Sequence, residues 1–321
     1  MSFAKIKGQD SAISFLKAAF KNNRLSHAYI FSGPGGVGKM FTALSFAKAI
    51  LCENATLQES CDRCPVCRKI DNLSHPDLFI LRPDKKSASI KIDDVRQLIK
   101  DIYLKPFEAK KKVYIIDGAE TMKHEAANAL LKTLEEPPTD SVLILITNNL
   151  KALFHTIVSR SQVVRFFTLK AADVKDILIK EYSLDEPRAH VLSCLSGGRL
   201  GEALRHRDED VFQLRDSLIN GASKGSLLGF SFDDMPKEKN RACLDILLSW
   251  FRDILTVKAG APFSMVVNID KIDLVSGEAK RLSFEYLQDV IANIVSTSAY
   301  LDQNVNQKLA MSVLGLKLAS V

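Results

Sequence analysis

The segment Gly33-Pro34-Gly35-Gly36-Val37-Gly38-Lys39 constrains this chain more than any other. It follows the apolar run His27-Ala28-Tyr29-Ile30-Phe31, which reads as a buried strand, and it opens a stretch of helical pattern. In that setting Gly33, Gly35, Gly36 and Gly38 let backbone N–H groups turn inward on phosphate oxygens, and Lys39 adds a compact positive charge. An ordinary glycine-rich turn between a strand and a helix requires neither the lysine nor this spacing. A strand that feeds a helix through such a loop belongs in an α/β sheet.

The rest of the first half agrees. LFILR from Leu78, VYII from Val113, VLILIT from Val142 and VVRF from Val163 are short β-rich runs separated by helical stretches, an alternation that predicts a largely parallel sheet. Ahead of the first strand, Ala12, Phe15, Leu16, Ala19 and Phe20 give a helix one apolar face. Between VYII and VLILIT, Ala126, Ala129, Leu130, Thr133 and Leu134 share another, and Pro137-Pro138 stops that helix.

After Phe167 strand signals fade, and Gly197-Gly198 breaks two short helices. Beyond about Asp210, Leu244, Leu247, Leu248, Phe251 and Leu255 mark a long amphipathic helix, and the C-terminal stretch is helical in pattern too. The segment Gly221 to Lys237, rich in Gly, Ser and Asp, is expected to be a loop. A chain of 321 residues exceeds one ordinary core, so three domains are expected: α/β over 1–168, a small helical module over 169–208 and an all-α domain over 209–321.

Hydrophobic residues at 46% and charged residues at 26% exclude a disordered chain. The net charge of +6 and pI near 8.9 fit a nucleic-acid or acidic protein partner without demanding either. The N-terminus has no apolar core of signal-peptide length, and apolar runs such as Val142 to Ile146 are too short for a bilayer, so a cytoplasmic protein with no membrane segment is expected. Arg96 and Lys100 share a face of a helix beginning near Asp93; they could touch duplex phosphates, although a solvated face is the simpler reading. Lys110-Lys111-Lys112 is expected to be a charged loop before a strand.

The phosphate loop lacks a usual companion. Met40 stands where Ser or Thr supplies a hydroxyl to magnesium, and a thioether is too soft to replace it. A second acidic strand end, Val113-Tyr114-Ile115-Ile116-Asp117, would place Asp117 at such a metal, but Gly118 follows. In AAA+ ATPases a glutamate usually stands there to activate water, and glycine can neither take that proton nor orient the nucleophile. Glu120 comes two residues late and is expected to point elsewhere. These gaps predict no hydrolysis, while the glycines and Lys39 leave binding of ATP or ADP without turnover open.

Cys52, Cys61, Cys64 and Cys67 are spaced C-x8-C-x2-C-x2-C, which suits a closed tetrahedral Zn2+ site of structural type in a zinc module over about 52–67. An iron–sulfur cluster also takes four thiolates, but its Cys-x3-Cys-Pro ending is absent. Free buried thiols are the remaining reading. His75, in His75-Pro76-Asp77, is expected to shape the turn into the next strand.

These segments together resemble bacterial clamp-loader subunits of the AAA+ type. The matching residues are Gly8-Gln9, Arg24-Leu25-Ser26-His27-Ala28, the run Asn128-Ala129-Leu130-Leu131-Lys132-Thr133-Leu134-Glu135-Glu136-Pro137-Pro138, and Ser159-Arg160-Ser161, where the family has Ser-Arg-Cys. Near the end, Asn304-Val305-Asn306 and Lys308-Leu309-Ala310 resemble the delta-prime collar domain. The resemblance implies an AAA+ P-loop domain, a helical lid and a helical collar. It also implies that Arg160 acts in trans as an arginine finger on a neighbour's ATP, that Asn148 is the polar γ-phosphate sensor, and that the lid's sensor arginine is lost, Gly201 standing in its place with Arg199 two positions early.

Motor subunits of the family keep the hydroxyl and the Asp-Glu pair that this chain lacks, so the resemblance points to its delta-prime branch. The implied partners are the tau/gamma motor subunits, the delta subunit, the sliding clamp indirectly, and primed DNA. Two other functional classes stay open on the residues: a motor ATPase whose missing groups come from elsewhere, and a zinc-containing DNA-binding regulator, for which no recognition helix is evident.

Overall fold

The computed structural model describes residues 2–22, 24–55, 59–84, 87–209, 211–223, 237–302 and 305–319. Asp210, Asn304 and most of the expected loop between Gly221 and Lys237 lie outside the described residues. Two compact units divide between Leu169 and Lys170.

The first unit is built on five parallel strands: β1 (Ala28–Ser32), β2 (Leu78–Leu81), β3 (Lys112–Asp117), β4 (Ser141–Thr147) and β5 (Gln162–Arg165). Their order in the sheet is β2-β3-β4-β1-β5. Six helices join them: α1 (Asp10–Lys21), α2 (Lys39–Leu51), α3 (Pro65–Asp71), α4 (Ile92–Ile102), α5 (His124–Glu135) and α6 (His155–Val158). Alternate strand residues serve opposite faces. Tyr29, Phe31, Val113, Ile115, Ile144 and Ile146 pack with α1 and α2 around Leu16 and Phe46. Ala28, Ile30, Tyr114, Ile116, Leu143 and Leu145 pack with α4 and α5 around Leu98 and Leu130. Covering both faces is why these strands are near-continuous apolar runs rather than alternating ones.

Three expectations need correction. The buried stripe of α1 is Ala12, Ile13 and Leu16, which leaves Phe15 at 40% exposure on its rim. In α5 Ala127 is buried while Ala129 is only half-buried. Lys112 is no part of a solvated loop, for it opens β3 at 1% exposure. Its Nζ donates to the Asp101 backbone oxygen and carboxylate, both at 3.1 Å, and lies 5.5 Å from the ring centroids of Phe79 and Phe107. A buried ammonium needs such partners.

The turn at His75 is as expected, with more behind it. His75 Nδ1 accepts from the Asp77 N–H, and the fully buried Asp77 carboxylate accepts the N–H groups of Phe107, Glu108 and Ala109 at 2.7, 2.8 and 2.9 Å. The entry to β2 is thereby tied to the approach to β3.

The second unit has no strand among its described residues. It comprises α7 (Ala171–Tyr182), α8 (Glu186–Leu195), α9 (Leu200–Asp208), α10 (Val211–Ser223), α11 (Lys237–Lys258), α12 (Ile272–Arg281), α13 (Phe284–Asp302) and α14 (Gln307–Ala319). Gly221 therefore falls in α10 and Lys237 opens α11, so both ends of the expected loop are helical. Helix α11 packs against α10, α12 and α13, and it buries Cys243, Ile246, Trp250 and Ile254 besides the expected Leu244, Leu247 and Phe251. Among the described residues no helix is long and apolar enough to cross a membrane.

Candidate functional site

The parallel register brings the C-terminal ends of β3, β4 and β1 level, with Asp117 opposite Ile146 and Thr147 opposite Ser32. Gly33, Asp117 and Asn148 therefore meet at one sheet edge, the usual ligand edge of an open α/β sheet. Gly33 has φ +156°, and a Cβ there would stand 2.3 Å from the Phe166 carbonyl oxygen, so no other residue fits. Gly38 caps α2, and Lys39 begins it.

Lys39 is buried, and its Nζ donates to the carbonyls of Gly33 and Pro34 at 2.5 and 2.6 Å and to Asn148 Oδ1 at 2.9 Å. Burial lowers its pKa to about 8, against the pull of the Glu120 and Asp117 carboxylates. Burial also raises the Asp117 carboxyl, against the opposing pull of Arg82 and Lys39. Arg82 Nε lies 3.8 Å from Asp117 Oδ2.

Glu120 was expected to point away, and the structure corrects this. The short 3-10 turn Ala119–Thr121 swings it back over the sheet edge, where Oε1 accepts the Asn148 N–H at 3.1 Å. Glu120 Oε2 is buried with no hydrogen-bond partner among the described residues. Its distance in sequence from Asn148 hid the contact.

The loop offers magnesium no hydroxyl, although the Asp117 carboxylate stands at the same edge. Met40 packs against the apolar cluster under α2 instead of offering a ligand at the loop. Gly118 takes φ +78° and ψ +41°, and a Cβ there would approach the Pro83 Cγ to 3.1 Å, so any side chain at this position is strained. The loop thus keeps its glycines and Lys39 but has a thioether where a hydroxyl would stand.

The cysteine cluster is a separate construction. Cys52 caps the C-terminal end of α2 and Cys64 caps the start of α3, with the Cys67 N–H donating to Cys64 Sγ at 3.4 Å and the Cys61 N–H to Cys52 Sγ at 3.4 Å. Sulfur separations are 3.5 Å for Cys52–Cys61, 3.9 Å for Cys52–Cys64 and 3.9 Å for Cys61–Cys67, and all four lie within 4.8 Å of one another. Four thiolates around one tetrahedral ion at a metal–sulfur length of 2.3 Å would sit about 3.8 Å apart. The donor set fits a metal ion.

Lys48 is a residue that sequence reasoning missed. It sits in the last turn of α2 with its side chain wholly buried, and its Nζ meets Asp62 at 2.7 Å and Asp71 at 2.6 Å. The phosphate-loop helix is thus ion-paired to the cysteine module on both sides of Cys64 and Cys67. A lysine inside the apolar run Ala43 to Leu51 was the only available signal.

Arg160 follows α6, away from the phosphate loop of its own chain in sequence. Its Nη1 donates to the Thr156 carbonyl at 3.2 Å and to Ser159 Oγ at 3.3 Å, and Nη2 meets Glu135 Oε1 at 2.8 Å. Arg96 and Lys100 are exposed on α4, and Arg96 is 3.5 Å from Asp93, which suits a solvated face. In the second unit, Arg199 Nε donates to the Ser196 carbonyl at 2.8 Å, and Gly201 lies in α9.

With this geometry in hand, the sequence matches the family described as DNA polymerase III, delta subunit, over residues 8–170, and its C-terminal counterpart over residues 232–318. It is 31% identical over 320 residues to DNA polymerase III subunit delta' of Bacillus subtilis, covering 97% of this chain and 96% of that protein. Identity to DNA polymerase III subunit tau of Salmonella typhimurium is 33% over 252 residues, which is 76% of this chain and 38% of that one. Among solved structures, the Bacillus subtilis DNA clamp loader delta protein aligns with 96% of this chain and 100% of its own, at 15% identity and a TM-score of 0.40.

Proposed function

The chain belongs to the delta-prime family of DNA polymerase III subunits, and on that footing we propose that it is the non-hydrolysing member of a clamp-loader ring. One observation carries this reading: the glycine loop and Lys39 are intact while a half-buried Met40 packs against the apolar cluster and position 118 is a left-handed glycine. The chain can hold ATP or ADP, but it lacks both the hydroxyl that fixes magnesium and the carboxylate that activates water.

In this reading the subunit completes a ring with tau/gamma motor subunits and the delta subunit, and it helps load the sliding clamp on primed DNA in the cytoplasm. Arg160 is presented to the neighbouring motor's ATP, where a guanidinium lends charge to the transferring phosphoryl group. Asn148, hydrogen-bonded to Lys39, is placed to register a phosphate in the cradle. The four cysteines hold one structural zinc that shapes the turn after α2. Residues 169–208 form the lid, and 209–321 form the collar that joins the ring.

A motor role has one observation in its favour, the buried and unpartnered Oε2 of Glu120 near Lys39. The two readings separate cleanly. The isolated chain is expected to hydrolyse ATP no faster than buffer, and in the reconstituted loader Arg160→Ala is expected to lower turnover at the adjacent site roughly a hundredfold or more. Turnover by the isolated chain that disappears with Lys39→Ala would establish the motor instead, and undiminished turnover in the Arg160→Ala assembly would refute the finger.

A further inference from the structure

Arg160 is held by its own chain in two different ways. The Nη1 contacts with the Thr156 carbonyl and Ser159 Oγ are local to α6 and the turn after it, and they fix where the guanidinium starts. The Nη2 contact is of another kind, because Glu135 comes from the last residue of α5 and carries a full negative charge 2.8 Å away. The C-terminal end of a helix is itself partially negative, which strengthens the hold on a cation placed there.

That carboxylate is poorly suited to a guanidinium already engaged with phosphate. A paired arginine offers less charge to a transferring phosphoryl group, and a carboxylate left beside it would repel the same phosphate oxygens. Both side chains are substantially exposed, Arg160 at 37% and Glu135 at 51%, so the pair is in the weak class that exchanges partners readily. A polyphosphate, with more charge and room for a bidentate contact, outcompetes a single carboxylate oxygen.

We propose that Glu135 restrains Arg160 on its own chain and releases it only when a neighbouring subunit's nucleotide competes for the guanidinium. Glu135 is then a positioning residue acting through Arg160. The inference rests on the finger role proposed above and adds to it a cost that assembly has to overcome. It also gives one residue of the Leu134-Glu135-Glu136-Pro137-Pro138 segment a specific task beyond ending a helix.

The test is ATP turnover by the reconstituted loader containing this chain with Glu135→Gln, Arg160→Ala or both. Glu135→Gln keeps an oxygen acceptor but removes the charge, and its exposed position leaves folding undisturbed. The expected result is a rise in kcat/KM of about two- to fivefold, the range an exposed ion pair can account for. In the Arg160→Ala background, Glu135→Gln is expected to change nothing, an outcome that a merely structural role would not produce. No rise, a fall, or a rise that persists without Arg160 overturns the restraint. Undiminished turnover with Arg160→Ala alone identifies the other failure, that of the finger itself.

Discussion

Replacing Asp77 with alanine is expected to lower the stability of the first unit by roughly 3 kcal/mol. The carboxylate is fully buried and accepts three backbone N–H groups, those of Phe107, Glu108 and Ala109. Removing it orphans all three, at about 1–3 kcal/mol for each donor left wholly dry. Phe107 and Glu108 are on an exposed loop, so water can reach their N–H groups once the loop relaxes, and the lower end, about 1 kcal/mol each, is the appropriate figure. For a unit of 169 residues this corresponds to a fall in Tm of about 6–12 °C. Calorimetry of the first unit's transition reads the loss, and hydrogen exchange at residues 107 to 109 reads its location. Asn keeps one carbonyl oxygen able to accept two of the donors, so Asp77→Asn should fall between the two. A parent-like Tm with those amides still protected in Asp77→Ala would refute the reasoning.

Acid should weaken the same region in two windows. Burial holds the His75 imidazole below its ordinary value, so its contribution is complete above about pH 6.5 and is lost as pH falls toward its folded value. Burial alone would raise Asp77, but its three backbone donors prevail and hold it below the ordinary carboxylate value, so its contribution is lost only below about pH 4. Thermal melts across pH should show both losses, and Asp77→Ala should abolish the lower one. Elemental analysis should find about one equivalent of zinc, lost on Cys64→Ser, with the N-terminal half of α3 losing amide protection. Gly118→Glu should not restore hydrolysis, because a side chain at φ +78° beside Pro83 costs about 1–2 kcal/mol and Met40 still offers magnesium no hydroxyl. Magnesium-dependent turnover gained by that variant would contradict the backbone geometry.

Much of the first unit was legible because its signals are local. Gly33 to Lys39, the four cysteines and the five apolar runs each declare themselves within a few residues, and the strands lie where those runs are. Face assignment was weaker. Phe15 and Ala129 have helical spacing that fits the apolar stripe, yet which edge of a stripe is covered depends on what packs there. Lys112 shows the same limit, since three consecutive lysines look alike until a strand takes one of them inside.

Sequence alone determined that this chain holds a glycine-rich strand-to-helix loop ending in Lys39-Met40, a cluster of four cysteines and an α/β unit followed by helices. Only the tertiary structure decided the partners: Glu120 with Asn148, Lys48 with Asp62 and Asp71, Asp77 with the loop at 107–109, and Glu135 with Arg160. The physical reason is the strand order β2-β3-β4-β1-β5. Parallel crossovers bring together residues tens of positions apart, and hydrophobic periodicity fixes which face a residue takes but not which distant neighbour it meets there.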